Sequence, residues 1–521
     1  MKKFNVTGTC VPAKHYMVDI GGKLEKIMKL IDDGSYFTIN RARQYGKTTT
    51  LSQIQRTLPA GYICLRISFQ NTSRHSFETE RAFCQMLLKK IAKSLEYAPA
   101  LREYAHGWQN EGVTDFELLD GHITEMCEGR KVVLMIDEFD KVGDYHIFLQ
   151  FLSTLREKYQ LRSEDMDHTF QSVVLAGVYD ITSLKQKMID EGLYVPTETE
   201  DKIQGSPWNI AADFEVDMSF GPAEIATMLD EYESDHGTGM KIGEIAESIH
   251  SYTGGYPFMV SRICQYIDQR LDKEWTLDGV RKAVQILLKE SNTLFDDLKK
   301  NIETYDDLKN FLRELLFLGE NKSFNIDNST ISLGYMFGYF REENDQTKMS
   351  NKIFEMRIYN YFISENESSG EVKIKPPQKG EIVENGHFDM ELLLKKFAQH
   401  YAEIFKLKDR EFLESHGGLL FMTYLKPFIN GHGFCHIESQ TNDFKIAITV
   451  DYEREQFIIE LKIWHGAKLH EKAYRQLANY LKIKNADSGY LLTFDFRKEQ
   501  SKEHRAEWVE IDGKRIFDVI V

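Results

Sequence analysis

The stretch Tyr36–Leu51, YFTINRARQYGKTTTL, decides how the rest of the chain is read. A short apolar, β-prone run, Tyr36 to Ile39, enters a loop closed by Gly46, Lys47 and Thr48, and Thr49 to Leu58 then carries a helical pattern. Strand, loop and helix in that order make the setting of a phosphate-binding loop. Backbone N–H groups and a helix N-terminus cradle a polyphosphate such as ATP, Lys47 would reach the β- and γ-phosphates, and Thr48 would hold Mg²⁺. Gly46 lets the backbone approach closely. Arg43, Gln44, Tyr45, Gly46, Lys47, Thr48 and Thr49 are therefore the candidate nucleotide contacts. The spacing G-x4-G-K-[ST] would place a first glycine at position 41, where this chain has Arg41, so the motif alone also fits an ordinary Gly-Lys turn.

A second stretch favours the nucleotide reading. Lys131–Asp140, KVVLMIDEFD, is a continuous apolar run ending in acids, the pattern of a buried parallel strand with carboxylates at its C-terminal end. Ligands bind at that end of such sheets. Asp137 would hold the Mg²⁺ and Glu138 would polarise an attacking water.

With these motifs in hand, the chain resembles bacterial AAA-ATPase-like proteins that carry a PD-(D/E)XK nuclease-like C-terminal domain. The resembling stretches are YMVDI near Met17, INRARQYGKTTTL, VVLMIDEFDKV, FQSVVLAGVYDI, SPWNIAADFEVDMSF, YTGGYPFMVSRIC, FEMRIYNYFIS and FIIELKIWHG, which span nearly the whole sequence. Family members commonly have an Arg-rich loop in place of the first glycine, so Arg41 is no objection. The resemblance implies an ATPase with ATP and Mg²⁺ as cofactors. It also implies a polar residue sensing the γ-phosphate after the strand Ser172–Ala176, and lid helices that make Arg262 a candidate nucleotide contact. Arg156 and Arg162 are both candidates for an arginine finger.

The 521 residues exceed a usual single domain, and 42% hydrophobic with 28% charged residues is a globular composition. No apolar run approaches membrane-spanning length. MKKFNVTGTC has two lysines but no following apolar core, so a cytoplasmic protein with no membrane partner is expected. Six scattered cysteines without C-x-x-C spacing argue against a zinc ribbon or a disulfide framework. A net charge of −16 disfavours tight unspecific nucleic-acid binding by the whole surface, while leaving room for a local basic groove.

The expected fold class is α/β: a P-loop NTPase with a parallel sheet, then a helical, winged-helix-like module, then a PD-(D/E)XK nuclease-like α/β domain. Over residues 1–290, strands are expected at Tyr36–Asn40, Tyr62–Ser68, Val132–Ile136, Ser172–Ala176 and Phe214–Met218. Helices are expected near Phe77–Ser94, Asp144–Tyr159 and Ala223–Ser234. Over 291–365 the alternation gives way to helices at Thr304–Leu318 and Phe354–Ile363, with short strands near Ile331 and Phe340. Ser364–His387 has linker composition, leaving 366–388 as the connection to a domain at 389–521.

In that last domain, helices at Met390–Lys406 and Asp409–Leu425 precede strands at Gly433–Ser439, Lys445–Val450 and Gln456–Trp464, a helix, and a strand at Gly489–Phe494. The order αβββαβ resembles the PD-(D/E)XK core, whose members need two or more carboxylates and a lysine around Mg²⁺. Glu460 and Lys462 match the E-x-K half and share a strand face. Gln476 and Tyr480 match the Q-x3-Y element of one branch. A turn centred on Glu453-Arg454 would set Ala447 opposite Glu460, where the family's aspartate is expected. Asp443 and Asp451 lie about 13 Å away along the strand, and Glu438 remains as a substitute. Glu460 is thus a weak or vestigial Mg²⁺ ligand, and the domain is expected to bind nucleic acid or a partner rather than cut. The alternatives are an active ATP-regulated nuclease with a displaced carboxylate, and an interaction protein that does not hydrolyse ATP. Nucleic acid could also be met by the winged-helix-like module, and a homo-oligomer is a further possible partner state.

Overall fold

The structure, a computed structural model, describes residues 2–96, 114–142, 145–181, 183–184, 189, 208–318, 322–369, 379–384, 386–405, 410–429, 433–440, 445–453, 455–495, 497 and 505–521. The chain forms two compact units: Met1–Leu277 with Tyr335–Gly338, and Asp278–Gly334 with Tyr339–Val521.

The first unit is built on a parallel sheet of β1 (Tyr36–Asn40), β2 (Tyr62–Ser68), β3 (Lys131–Asp137), β4 (Ser172–Gly177) and β5 (Ala211–Ala212), in the order β2-β3-β4-β1-β5. From Val132 through Asp137 and throughout β4 every residue is buried. That burial is why both strands read as unbroken apolar runs, and it requires cover on both faces. On one face Tyr36, Leu134, Ile136, Val173 and Leu175 join Phe83, Leu87, Phe151 and Leu155 in one core. Helices α1 (Gly21–Asp32) and α2 (Lys47–Thr57) pack against the sheet as well. Register aligns Asn40 with Gly177, and Ile39 with Ala176 and Asp137, so the loop after β1 and the acids after β3 open at the same end.

The expected strand Phe214–Met218 is not a strand. The fifth strand is Ala211–Ala212, paired to Tyr36 and Phe37. The alternation of Phe214, Val216 and Met218 is real, but its backbone is used otherwise. Arg41 Nη2 takes the Val216 carbonyl at 2.8 Å, and the Phe214 ring stacks on Phe37 at 5.7 Å.

In the second unit, the single helix expected at Thr304–Leu318 divides into Asp306–Arg313 and a wider turn at Glu314–Leu318, and a separate helix, Thr293–Thr304, precedes it. The strand expected near Ile331 is instead helical, within Ser329–Met336, because Asn328 Oδ1 caps the amides of Thr330 and Ile331 at 3.0 and 3.1 Å. The hairpin β6 (Phe340–Glu343) and β7 (Gln346–Met349) turns through Asn344 and Asp345, both with positive φ, as a two-residue hairpin requires. The long helix Lys352–Ser369 takes up the start of the expected linker, and β8 (Val383–Glu384) and β9 (His387–Phe388) take up its end. Residues 370–378 of that linker lie outside the described residues.

The remaining chain has helices Met390–Phe405 and Arg410–Ile429, then β10 (Gly433–Gln440), β11 (Lys445–Tyr452), β12 (Glu455–Ile463), the helix Ala467–Ile483 and β13 (Ser488–Phe494). Two further strands, β14 (Arg505–Ile511) and β15 (Lys514–Ile520), extend the sheet to the order β10-β11-β12-β13-β15-β14. Their turn is Asp512-Gly513, both at positive φ, a common hairpin signal. No helix among the described residues is long and apolar enough to cross a membrane.

Candidate functional site

The loop between β1 and α2 folds around Lys47. Gly46 caps α2 with φ 79°, a conformation that favours glycine, and Gln44 also sits at positive φ. Lys47 is buried, and its ammonium donates to the carbonyls of Arg41 and Ala42 at 2.8 and 2.9 Å. Burial lowers its pKa from the ordinary lysine value, while the nearby carboxylates of Asp140, Glu138 and Asp137 act in the opposite direction. A cation held at the start of a helix, where the helix N-terminus favours negative charge, is an anion-binding arrangement.

Thr48, the next residue, donates its hydroxyl to Asp137 Oδ2 at 2.8 Å, bringing together the two residues proposed from sequence as metal ligands. The other Asp137 oxygen accepts the Glu138 amide at 3.1 Å. Glu138 has φ 54°, unusual outside glycine, which turns the chain sharply after β3. Among the described residues no group of three or more His, Cys, Asp or Glu is disposed to hold a metal. A Mg²⁺ arriving with a nucleotide needs few protein oxygens, because phosphates and water fill its shell. Thr48 and Asp137 fit that requirement.

Two neighbours escaped the sequence reading because only the fold brings them here. Arg66, on β2, donates to the Thr48 carbonyl at 3.1 Å and lies 3.9 Å from Asp137 Oδ2. Asp140, quoted in DEFD without a role, is buried and accepts the amides of Val178 and Tyr179 at 2.8 and 3.4 Å. Arg66 lies two residues before the end of a strand beside β3, which is the only trace that sequence offers of it.

The loop is covered by the segment after the Gly-Gly turn. The Tyr256 hydroxyl donates to the Arg43 carbonyl, and its ring meets Tyr45 edge-on at 4.6 Å. Burial pushes the Tyr45 phenol up to about 12. Gly255, at φ 75°, has its α-carbon against Phe220, where a Cβ would come within 2.2 Å of the carbonyl oxygen. Thr49 accepts the Cys10 amide at 3.2 Å. Arg262 donates to Gln265 at 2.7 Å and lies over the Tyr266 ring at 4.8 Å, engaging its own helix, Pro257–Arg270. Arg162 donates to the carbonyls of Phe170, Gln171 and Gly34, just before β4 and β1, so it braces the opposite end of the strands from Lys47.

In the C-terminal sheet, the register sets Ala447 opposite Glu460 and Glu438 opposite Ala447, as the turn position implies. Glu460 is buried and ion-paired to Lys462 at 2.7 Å. One carboxylate already satisfied by a lysine, beside an alanine, does not make a divalent site by itself. A network missed from sequence lies further along. Asp518, fully buried on β15, accepts Tyr474 at 2.7 Å and lies within 3.0 Å of His470, while Arg505 donates to Tyr474 at 2.9 Å. His470 and Asp518 are 48 residues apart in sequence, and no local spacing announces them.

Comparison with known proteins bears on both sites. Residues 436–506 match the PD-(D/E)XK nuclease superfamily. Among solved structures, a Walker-type ATPase of Pyrococcus abyssi aligns at 12% identity over 68% of this chain and 99% of that one, with a TM-score of 0.47. The Aeropyrum pernix ORC2 protein, in ADPNP-ADP complexes, aligns at 13% identity over 68% and 97%, with a TM-score of 0.32. Drosophila ORC bound to GC-rich DNA and Cdc6 aligns at 13% identity over 57% and 43%, with a TM-score of 0.28. No curated protein matches the chain. The model of the AAA-like domain matches residues 14–362, more than half of the sequence and all of the loop, acid strand and covering helices just described, so the chain belongs to the AAA-like domain family.

Proposed function

We propose that the protein is a Mg²⁺-dependent ATPase whose C-terminal nuclease-like domain binds nucleic acid without cutting it. One observation carries the first half: the 2.8 Å contact between Thr48 Oγ1 and Asp137 Oδ2, made at the N-terminus of α2 beside the buried Lys47. In this reading Lys47 leaves its two carbonyls for the β- and γ-phosphates, and the loop amides take the remaining phosphate oxygens. Thr48 and Asp137 would hold the ion, which would supply charge neutralisation on the phosphates. Glu138 orients and deprotonates the attacking water. Arg262, on the covering helix, is proposed to approach the nucleotide when bound.

The second half rests on Ala447 standing opposite Glu460. A competing reading, in which the domain cuts, draws on Glu438 in the same cross-strand row. The location is proposed to be cytoplasmic, and the assembly a homo-oligomer. Steady-state ATP hydrolysis, measured alone and with single- or double-stranded nucleic acid, tests the whole reading. Turnover that needs Mg²⁺ and changes with nucleic acid, without strand cleavage, is the expected result. Nucleic-acid cleavage that Glu460→Ala abolishes would favour the competing one.

A further inference from the structure

Asp140 is the residue in the first unit whose surroundings are least explained by packing. It is only 6% exposed, and its Oδ2 serves two amides of the segment that leaves β4, Val178 and Tyr179. Its other oxygen, Oδ1, is enclosed and has no hydrogen-bond donor among the described residues. A buried charged acceptor used at one oxygen only is costly unless a donor or cation satisfies the other. Among its neighbours is the ammonium of Lys47, whose charge the Asp140 carboxylate favours.

The fold makes room for this carboxylate. Gly177 ends β4, and a Cβ there would lie 2.7 Å from the Phe139 ring and 3.1 Å from Asp140 Cγ. Glycine at 177 therefore lets the turn after β3 press against the end of β4. On the far side of the same turn, Tyr179 meets Phe337 edge-on at 6.1 Å, and a Cβ on Gly338 would lie 3.0 Å from the Ala42 methyl in the loop around Lys47. Asp140, Tyr179, Phe337, Gly338, Ala42 and Lys47 thus close a circuit around the loop.

We infer that Asp140 is a positioning residue of the nucleotide site: it locks the exit of β4 to the acid-bearing turn, so that this exit responds to what the Lys47 loop holds. This rests on the ATPase reading above. When Lys47 leaves the Ala42 carbonyl for phosphates, the change passes through the Ala42–Gly338 and Phe337–Tyr179 contacts to the exit of β4, where Asp140 Oδ2 holds the Val178 and Tyr179 amides. Asp140 touches neither substrate nor the reacting atoms, and Glu138 keeps the role of base.

The test uses the full chain, wild type and Asp140→Asn, which keeps the shape and an acceptor for Val178 while removing the charge. ATP affinity is measured by calorimetry, turnover at saturating Mg-ATP, and hydrogen exchange over residues 172–181 with and without a non-hydrolysable ATP analogue. The expected result is affinity within about threefold of wild type, turnover reduced about 10- to 100-fold, and loss of the analogue-induced change in exchange that wild type displays. A merely structural Asp140 would lower thermal stability and leave that exchange response intact, which overturns the inference. So does wild-type turnover in the variant, or a wild-type protein that binds ATP with no exchange response at 172–181. Wild-type protein that neither binds nor hydrolyses ATP overturns the ATPase reading itself.

Discussion

Replacing Lys47 with alanine separates binding from folding in a way the structure lets one estimate. Opposite unit charges about 4 Å apart attract by about 4 kcal/mol at an effective dielectric of 20, and a phosphate pair presenting two charges roughly doubles that. Against this, binding gives up the bonds to the Arg41 and Ala42 carbonyls, 2.8 and 2.9 Å long. Charged hydrogen bonds of this kind contribute roughly 1.5–3 kcal/mol each. The remainder is about 2–5 kcal/mol, so Lys47→Ala should weaken ATP binding roughly 30- to 4000-fold.

Folding should suffer much less, because the lowered pKa of Lys47 signals a cost of keeping its ammonium buried. A lysine whose folded pKa lies below its unfolded value binds fewer protons folded than unfolded between those two values. Stability therefore rises with pH across that window, and the full cost is present below it. Removing the charge removes that cost and offsets part of the two lost carbonyl bonds. The assay is thermal unfolding with and without Mg-ATP. At a hundred times the dissociation constant, ligand adds about 2.7 kcal/mol, or roughly 5–10 °C for a domain of this size. Wild type should show that shift, and Lys47→Ala should show almost none while its ligand-free midpoint stays close to wild type. An equal ATP-induced shift in the variant, or wild-type affinity by calorimetry, would refute the assignment.

Glu138→Gln should retain ATP but slow turnover by about 100- to 10,000-fold, the usual range for removing a general base; a rapid-quench measurement with unchanged hydrolysis would remove Glu138 from the mechanism. Gly255→Ala sets a methyl 2.2 Å from the Phe220 oxygen at a φ of 75°, and should cost at least about 2 kcal/mol, read as a midpoint lowered by about 4 °C or more. Ala447→Asp puts a second carboxylate opposite Glu460, with Cβ atoms about 5 Å apart. It should confer Mg²⁺-dependent cleavage that Glu460→Ala removes, and no cleavage in the single variant would mean that more than one ligand is missing.

What the sequence made legible is what depends on short-range pattern. The strand before Gly46 and the run VVLMID could be read because burial on both faces forces an unbroken apolar composition, and the Ala447–Glu460 register because an antiparallel turn fixes every pair beyond it. The fifth strand was misplaced for the converse reason. Two residues, Ala211 and Ala212, carry too little pattern, while Phe214, Val216 and Met218 alternate without a ladder, Phe214 stacking on Phe37 and the Val216 carbonyl accepting from Arg41. The helix at Ser329 was obscured by β-prone Ile331, where a local cap at Asn328 outweighed propensity. Arg66 and Asp140 were invisible as site residues because each gains its meaning from a neighbouring strand rather than from its own.

The two carboxylate centres, each taken within its own unit, differ in a way that bears on chemistry. Asp137 spends its oxygens on a hydroxyl and an amide, neutral donors that exchange readily for a cation, and its own ionic neighbour stands off at 3.9 Å. Glu460 spends its charge on Lys462 at 2.7 Å, with both side chains about nine-tenths buried. In the proposed ATPase, a cation entering the first site would displace a weak contact and gain phosphate ligands from the nucleotide. Entering the second, it must break a buried ion pair, whose rupture leaves an uncompensated ammonium, and gains no carboxylate from Ala447. The cross-strand row continues through Leu491 to Asp518, but that acid is already committed to His470 and Tyr474. Glu460 and Asp518 are thus held by partners suited to keeping a fold, whereas Asp137, at the end of β3, keeps neutral partners that suit the proposed ion.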